Sequence, residues 1–129
     1  MKVSRAIPWV LFIAVSTCWA QATGVTARPL LRTTVSGDES KESVIAAIEF
    51  APGATTGLHT HPGDEYAVVT EGALELRPQG QPVRRVSAGQ AYHNARGLVH
   101  ETVNVGTTPA KTVATFVLDR GKPLTEPVH

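Results

Sequence analysis

The feature that most constrains this chain is a succession of short extended runs, each closed off by glycine, proline or asparagine. In order they are Leu30 to Val35, Ser43 to Phe50, Tyr66 to Thr70, Ala73 to Arg77, Val83 to Val86, Ala91 to His93, His100 to Val105 and Thr112 to Leu118. Between them stand Ser36-Gly37-Asp38, Pro52-Gly53, Pro62-Gly63-Asp64, Glu71-Gly72, Pro78-Gln79-Gly80, Ala88-Gly89, Arg96-Gly97, Gly106 and Pro109. Each separator forms turns for its own backbone reason. No apolar stripe of helical period is long enough to build a helix. Many evenly spaced short strands predict an all-β sandwich, jelly roll or small barrel. At 129 residues there is room for one domain.

The first residues read differently. Lys2 and Arg5 precede an apolar run from Ile7 to Val15, which is followed by Ser16, Thr17, Cys18, Trp19, Ala20, Gln21 and Ala22. A charged start, a short apolar centre and an Ala-x-Ala end predict a secretory signal peptide over residues 1–22, cut after Ala22 or after Ala20, with residues 23–129 as the exported domain. The run is too short to be retained as a span across roughly 30 Å of hydrocarbon. Val15-Ser16-Thr17-Cys18 faintly resembles a lipid-attachment site, but Thr17 and Trp19 around the cysteine fit it poorly. A periplasmic or secreted location is therefore expected, without lipid anchoring at Cys18.

Removing residues 1–22 takes away the only Cys, the only Met and both Trp. The remaining chain has no disulfide or reactive thiol and must be held by its apolar core, which is feasible at this size. Ten basic and eleven acidic residues remain, a net charge of −1 with His neutral. That balance suggests neither a nucleic-acid partner nor a membrane-surface partner.

Some strands are apolar on both faces. Val113, Thr115 and Val117 alternate with Ala114, Phe116 and Leu118, and Val44, Ala46, Ile48 and Phe50 alternate with Ile45, Ala47 and Glu49. A half-solvated sheet alternates more cleanly. Two explanations stand side by side: coverage by the N-terminal segment, or a homodimer interface.

The stretch 53-GATTGLHTHPGDEYAVVTEG-72 carries the chemistry. His59 and His61 share a face if the segment is extended, and Pro62-Gly63-Asp64 then provides a turn that brings Glu65 back toward them. Two histidines alone do not complete a metal site, and such pairs also occur by chance. His100, at the start of its own run, is the natural third donor. Gly53, five positions, His59-x-His61, three positions, Glu65, six positions and Gly72 resemble the first motif of the cupins. Gly89, five positions, Ala95-x-Gly97, two positions, His100, three positions and Asn104 resemble the second, departing only at Ala95, where that family usually has proline.

The resemblance covers residues 53–104 and implies a single cupin-type jelly-roll β-barrel. It further implies a metal held by His59, His61, Glu65 and His100. Three imidazoles and a carboxylate suit Fe, Mn, Ni, Cu or Zn, one divalent transition metal whose identity the donors do not select. Glu65 is also the candidate catalytic residue, as a group able to accept a proton. Two functions stay open: a metal-dependent enzyme of dioxygenase, decarboxylase or isomerase type acting on a small organic molecule, and a non-catalytic binder of a small ligand or metal. Tyr92, Asn94, Phe116 and Val69 are candidate pocket residues, and Tyr66 is read as pocket wall or core. His93 is read chiefly as a strand histidine satisfied by hydrogen bonds, His129 as exposed, and Arg84-Arg85 as a solvated strand edge.

Overall fold

The computed structural model describes residues 24–129, and the expected signal peptide lies outside the described residues. Ten strands and no helix build it: β1 (Val25–Val35), β2 (Asp38–Phe50), β3 (His59–Thr60), β4 (Gly63–Glu71), β5 (Ala73–Pro78), β6 (Arg84–Ser87), β7 (Ala91–Asn94), β8 (His100–Val103), β9 (Ala110–Asp119) and β10 (Glu126–Pro127). The eight runs expected from sequence are all strands. β3 and β10 escape sequence reading because two-residue strands have no period to detect.

The strands form two five-stranded antiparallel sheets, ordered β1-β2-β9-β4-β7 and β10-β3-β8-β5-β6. From β2 onward the chain crosses between sheets at almost every connection, so strand neighbours are distant in sequence. This is the jelly-roll arrangement, and it encloses one core between two inner faces. Period-two alternation decides what enters that core. On β4, Glu65, Ala67 and Val69 are buried while Tyr66, Val68 and Thr70 face outward. On β9, Thr112, Ala114, Phe116 and Leu118 are buried. Val44, Ala46, Phe50, Leu74, Leu76, Val86 and Tyr92 complete the packing.

Arg84 and Arg85 lie exposed on β6, at the free edge of its sheet, as expected of charges that discourage edge-to-edge pairing. The outer face of the other sheet remains partly apolar: Tyr66, Val68 and Val113 are exposed there. β1 continues the sheet beside β2 and does not lie over this face. Among the described residues, no helix is long and apolar enough to cross a membrane.

One local expectation needs correcting. Gly63 and Asp64 are not in a turn: they already belong to β4, paired with Leu118 and Val117 of β9, and the bend is confined to Pro62. Gly63 is therefore required for space. A Cβ there would stand 1.9 Å from the Val117 carbonyl oxygen. Gly53 and Gly72 are the turn glycines, with φ of +76° and +70°.

Candidate metal centre

His59 and His100 face each other as the cross-strand pair that joins β3 to β8. His61 follows two residues after His59, on the same side of the extended segment, and both are buried. Glu65 enters from the opposite sheet, on β4, where it is paired with Phe116 of β9 and Asn94 of β7. Four side chains separated by up to 41 positions thus meet inside the sandwich. The donor atoms of His59, His61 and His100 all lie within 4.8 Å of one another. Glu65 Oε2 is 3.3 Å from His61 Nε2 and 3.7 Å from His100 Nε2.

The outward nitrogens of the three rings fix what the inward nitrogens offer. Nδ1 of His59 lies 2.9 Å from the Gly57 carbonyl, Nδ1 of His61 2.7 Å from that of Leu124, and Nδ1 of His100 2.9 Å from that of Leu98. A carbonyl can only accept, so each Nδ1 carries the proton and donates it. In a neutral ring Nε2 is then a bare lone pair directed into the cavity. The Nε2 atoms of His61 and His100 are buried without any hydrogen-bond partner. They face a carboxylate oxygen, which is also an acceptor.

Acceptors converging on one buried point repel unless a cation stands among them. The histidine cluster can hold a metal ion, and its donor chemistry fits one. Backbone carbonyls behind metal-bound imidazoles are the usual device for fixing ring tautomer and orientation.

Electrostatics support this. Burial pushes the His59 imidazole down to about 4, so the ring is neutral at ordinary pH. Burial alone would raise the Glu65 carboxyl. An N–H or positive charge presented by His100 and His61, together with the Asn94 amide, reverses that and holds it well below the usual carboxylate range; with both Nε2 atoms bare, a bound cation is what can supply that charge. Asn94 Nδ2 donates to Glu65 Oε2 at 2.7 Å. Tyr92 is buried on β7, and burial followed by the nearby Glu65 charge pushes its hydroxyl well up. The Phe116 ring packs 5.0 Å from that of His61.

Of the other residues singled out in the sequence, Tyr92 and Phe116 line the cavity around the histidines, which measures about 1460 Å³. Asn94 supports Glu65, and Val69 is core. Tyr66 points outward, half exposed, and stacks on His93 at 4.8 Å. His93 Nε2 lies 3.1 Å from Asp64 Oδ1, so its hydrogen bond is to a surface carboxylate far from the cluster's interior. His129 is exposed at the cavity rim. Sequence reasoning missed Leu124, whose contribution is a backbone carbonyl from 63 positions away. No side-chain signal could have revealed it.

Comparison with known proteins gives a consistent picture. The family model described as Cupin domain matches residues 46–116. The chain is 38% identical over 93 residues to the beta-alanine degradation protein BauB of Pseudomonas aeruginosa, spanning 70% of this chain and 96% of that protein. It is 35% identical over 91 residues to the tetracenomycin polyketide synthase protein TcmJ of Streptomyces glaucescens, covering 59% of that protein. The structure of an oxalate oxidase in complex with the substrate analogue glycolate superposes with a TM-score of 0.63 at 27% identity, over 81% of this chain and 55% of the oxidase.

Proposed function

The chain belongs to the cupin family, and from that premise we propose that it is a metal-dependent enzyme acting on a small organic molecule. One observation carries the reading: the Nε2 lone pairs of buried His61 and His100 meet a carboxylate oxygen with no donor between them, while every Nδ1 is tied to a carbonyl. His59, His61, Glu65 and His100 are the residues that would hold one divalent transition metal. When bound, the ion supplies Lewis acidity and, if redox-active, one-electron exchange with a coordinated molecule, the chemistry of dioxygenases, decarboxylases and isomerases.

The protein's own residues define the rest. Glu65 is the carboxylate of the donor set and the base available to take a proton from a substrate, and Asn94 holds it in place. The cavity wall includes Tyr92, Phe116, Leu124, Thr55, Thr102 and Thr125, and no lysine or arginine among the described residues lines it. A substrate entering this space meets positive charge only at the metal. We read it as a small molecule that binds through oxygen at one end and is uncharged elsewhere, because a second carboxylate or a phosphate would be desolvated without a partner.

The test loads wild type and Glu65→Gln with the metal found in protein from its native compartment. Both are then assayed for oxygen uptake and product formation on phenolic, keto-acid and sugar-derived substrates. Activity should fall more than metal content in Glu65→Gln. Absence of turnover in wild type across that panel moves the assignment to a non-catalytic ligand-binding protein. Equal turnover by both proteins removes Glu65 from catalysis.

Two further parts of the reading concern setting and assembly. The N-terminal sequence supports export to the periplasm or beyond, checked by the intact mass of secreted protein, which should lack residues 1–22. The outer-face side chains Tyr66, Val68 and Val113 support a homodimer. Light scattering that returns a monomer mass at micromolar concentration would refute the dimer.

A further inference from the structure

We infer that the C-terminal tail is a working part of this centre, with Leu124 as a positioning residue for His61. The inference rests on the reading of His59, His61, Glu65 and His100 as metal donors. After β9 the chain returns to the opposite sheet and is tied to the segment that carries two of those donors. At one end Asp119 N donates to the Pro62 carbonyl at 3.1 Å. At the other, Glu126 and Pro127 of β10 pair with Thr60 and His59 of β3, and Val128 N donates to the Leu58 carbonyl at 3.1 Å. Between these anchors the Leu124 carbonyl accepts the proton of His61 Nδ1 at 2.7 Å.

The three histidines differ in how they are held. His59 and His100 each donate to a carbonyl two residues earlier, Gly57 and Leu98, so their acceptors arrive with their own loops. His61 depends on a carbonyl 63 positions away. Remove it, and the acceptor left beside the His61 ring is Glu65 Oε2, 3.3 Å from Nε2. A shift of that proton to Nε2 replaces the inward lone pair with an N–H, which cannot bind a metal.

The Leu124 side chain packs against the core and seats the carbonyl, while most of the tail around it is exposed. A segment with one core contact and a few solvent-facing hydrogen bonds belongs to the part of a fold that opens at low cost. Order in the tail and affinity at the metal are therefore coupled. The same segment, through Leu124, Thr125, Pro127 and Val128, forms one wall of the cavity.

The experiment compares the full chain, a chain ending at Pro123, and Leu124→Ala, each metal-free and then titrated with Co(II) while visible absorption is followed. Circular dichroism checks folding, and nitrogen-15 chemical shifts report the His61 tautomer. Truncation should weaken Co(II) binding about 10- to 100-fold, the usual effect of losing a partner behind a metal ligand, and should move His61 from the Nδ1–H form to a mixture. Leu124→Ala keeps the carbonyl but loosens its seat, so its Co(II) affinity and its His61 tautomer should both fall between those of wild type and the truncated chain.

A truncated chain that binds as tightly as the full chain overturns the inference and leaves the metal reading standing, whereas a full chain that takes up no Co(II) sinks the metal reading itself. If Leu124→Ala or truncation weakens Co(II) binding while His61 stays in the Nδ1–H form, the carbonyl is not the positioning group. Should the truncated chain fail to fold, Val128→Pro carries the test, because it removes the N–H bonded to Leu58 and leaves Leu124 itself unchanged. Unchanged affinity and tautomer in that variant also overturn the inference.

Discussion

Gly63→Ala separates two reasons for glycine in the same motif. The added Cβ would sit 1.9 Å from Val117 O, 2.7 Å from Val117 C and 2.8 Å from Leu118 Cα, all backbone atoms of β9. Ordinary contact lies at about 3.5 Å or beyond, so β4 and β9 must part by more than an ångström where they are joined. Parting them stretches the ladder at the Gly63–Leu118 and Asp64–Val117 pairs and the bond from Asp119 N to Pro62 O. Two or three such bonds at about 1 kcal/mol each, with partial exposure of the buried Leu118, amount to about 3–5 kcal/mol.

For a domain of this size that lowers the melting temperature by roughly 15–30 °C. Gly53→Ala is the control. Nothing lies within 4 Å of its Cβ, and only its φ of +76° opposes a side chain, at about 1–2 kcal/mol. Thermal melts of the three metal-free proteins by circular dichroism decide the matter. If Gly63→Ala melts within about 5 °C of wild type, the steric argument is wrong.

Acid should destabilise the metal-free protein. His59 is held down to about 4 in the fold against an ordinary 6.5, so the unfolded chain binds more protons and the stabilisation is present above pH 6.5. It is lost progressively as pH falls to about 4, by about 3 kcal/mol. The depressed Glu65 carboxyl acts in the same direction at lower pH. Urea unfolding at several pH values measures this, and His59→Gln should flatten the upper part of the profile. Asn94→Leu removes the donor to Glu65 Oε2, and metal affinity should drop about tenfold, read by competition with a chelator. Asn104 is buried, donating to Phe50 O and Thr108 O and accepting from Gly106 N. Asn104→Ala should therefore cost about 2–4 kcal/mol in urea unfolding while metal stoichiometry is unchanged.

Asn104 also shows how motif and role diverge. In the sequence it closes the second spaced motif beside His100. In the structure it ties the loop after β8 to the end of β2, where its side chain donates to the Phe50 and Thr108 carbonyls. His93 shows the converse: a histidine in a strand, one residue from Tyr92 and Asn94, is carried to the outer face by the two-residue period and pairs with Asp64.

The order of turns and extended runs by itself determined an all-β chain, and the spacing of His59, His61, Glu65 and His100 picked out the four side chains that meet. Both signals are local or nearly so. Period two places His59 with His61, and turn residues show where strands stop. Tertiary structure alone decided that Gly63 is a contact glycine within a strand and that Asn94 braces Glu65. It also decided that the Leu124 carbonyl sets the His61 proton. Each of these depends on chain crossing between two sheets, where the partner is a backbone atom or a side chain tens of positions away. A backbone carbonyl is the same in every residue type, so no sequence pattern could have marked that one.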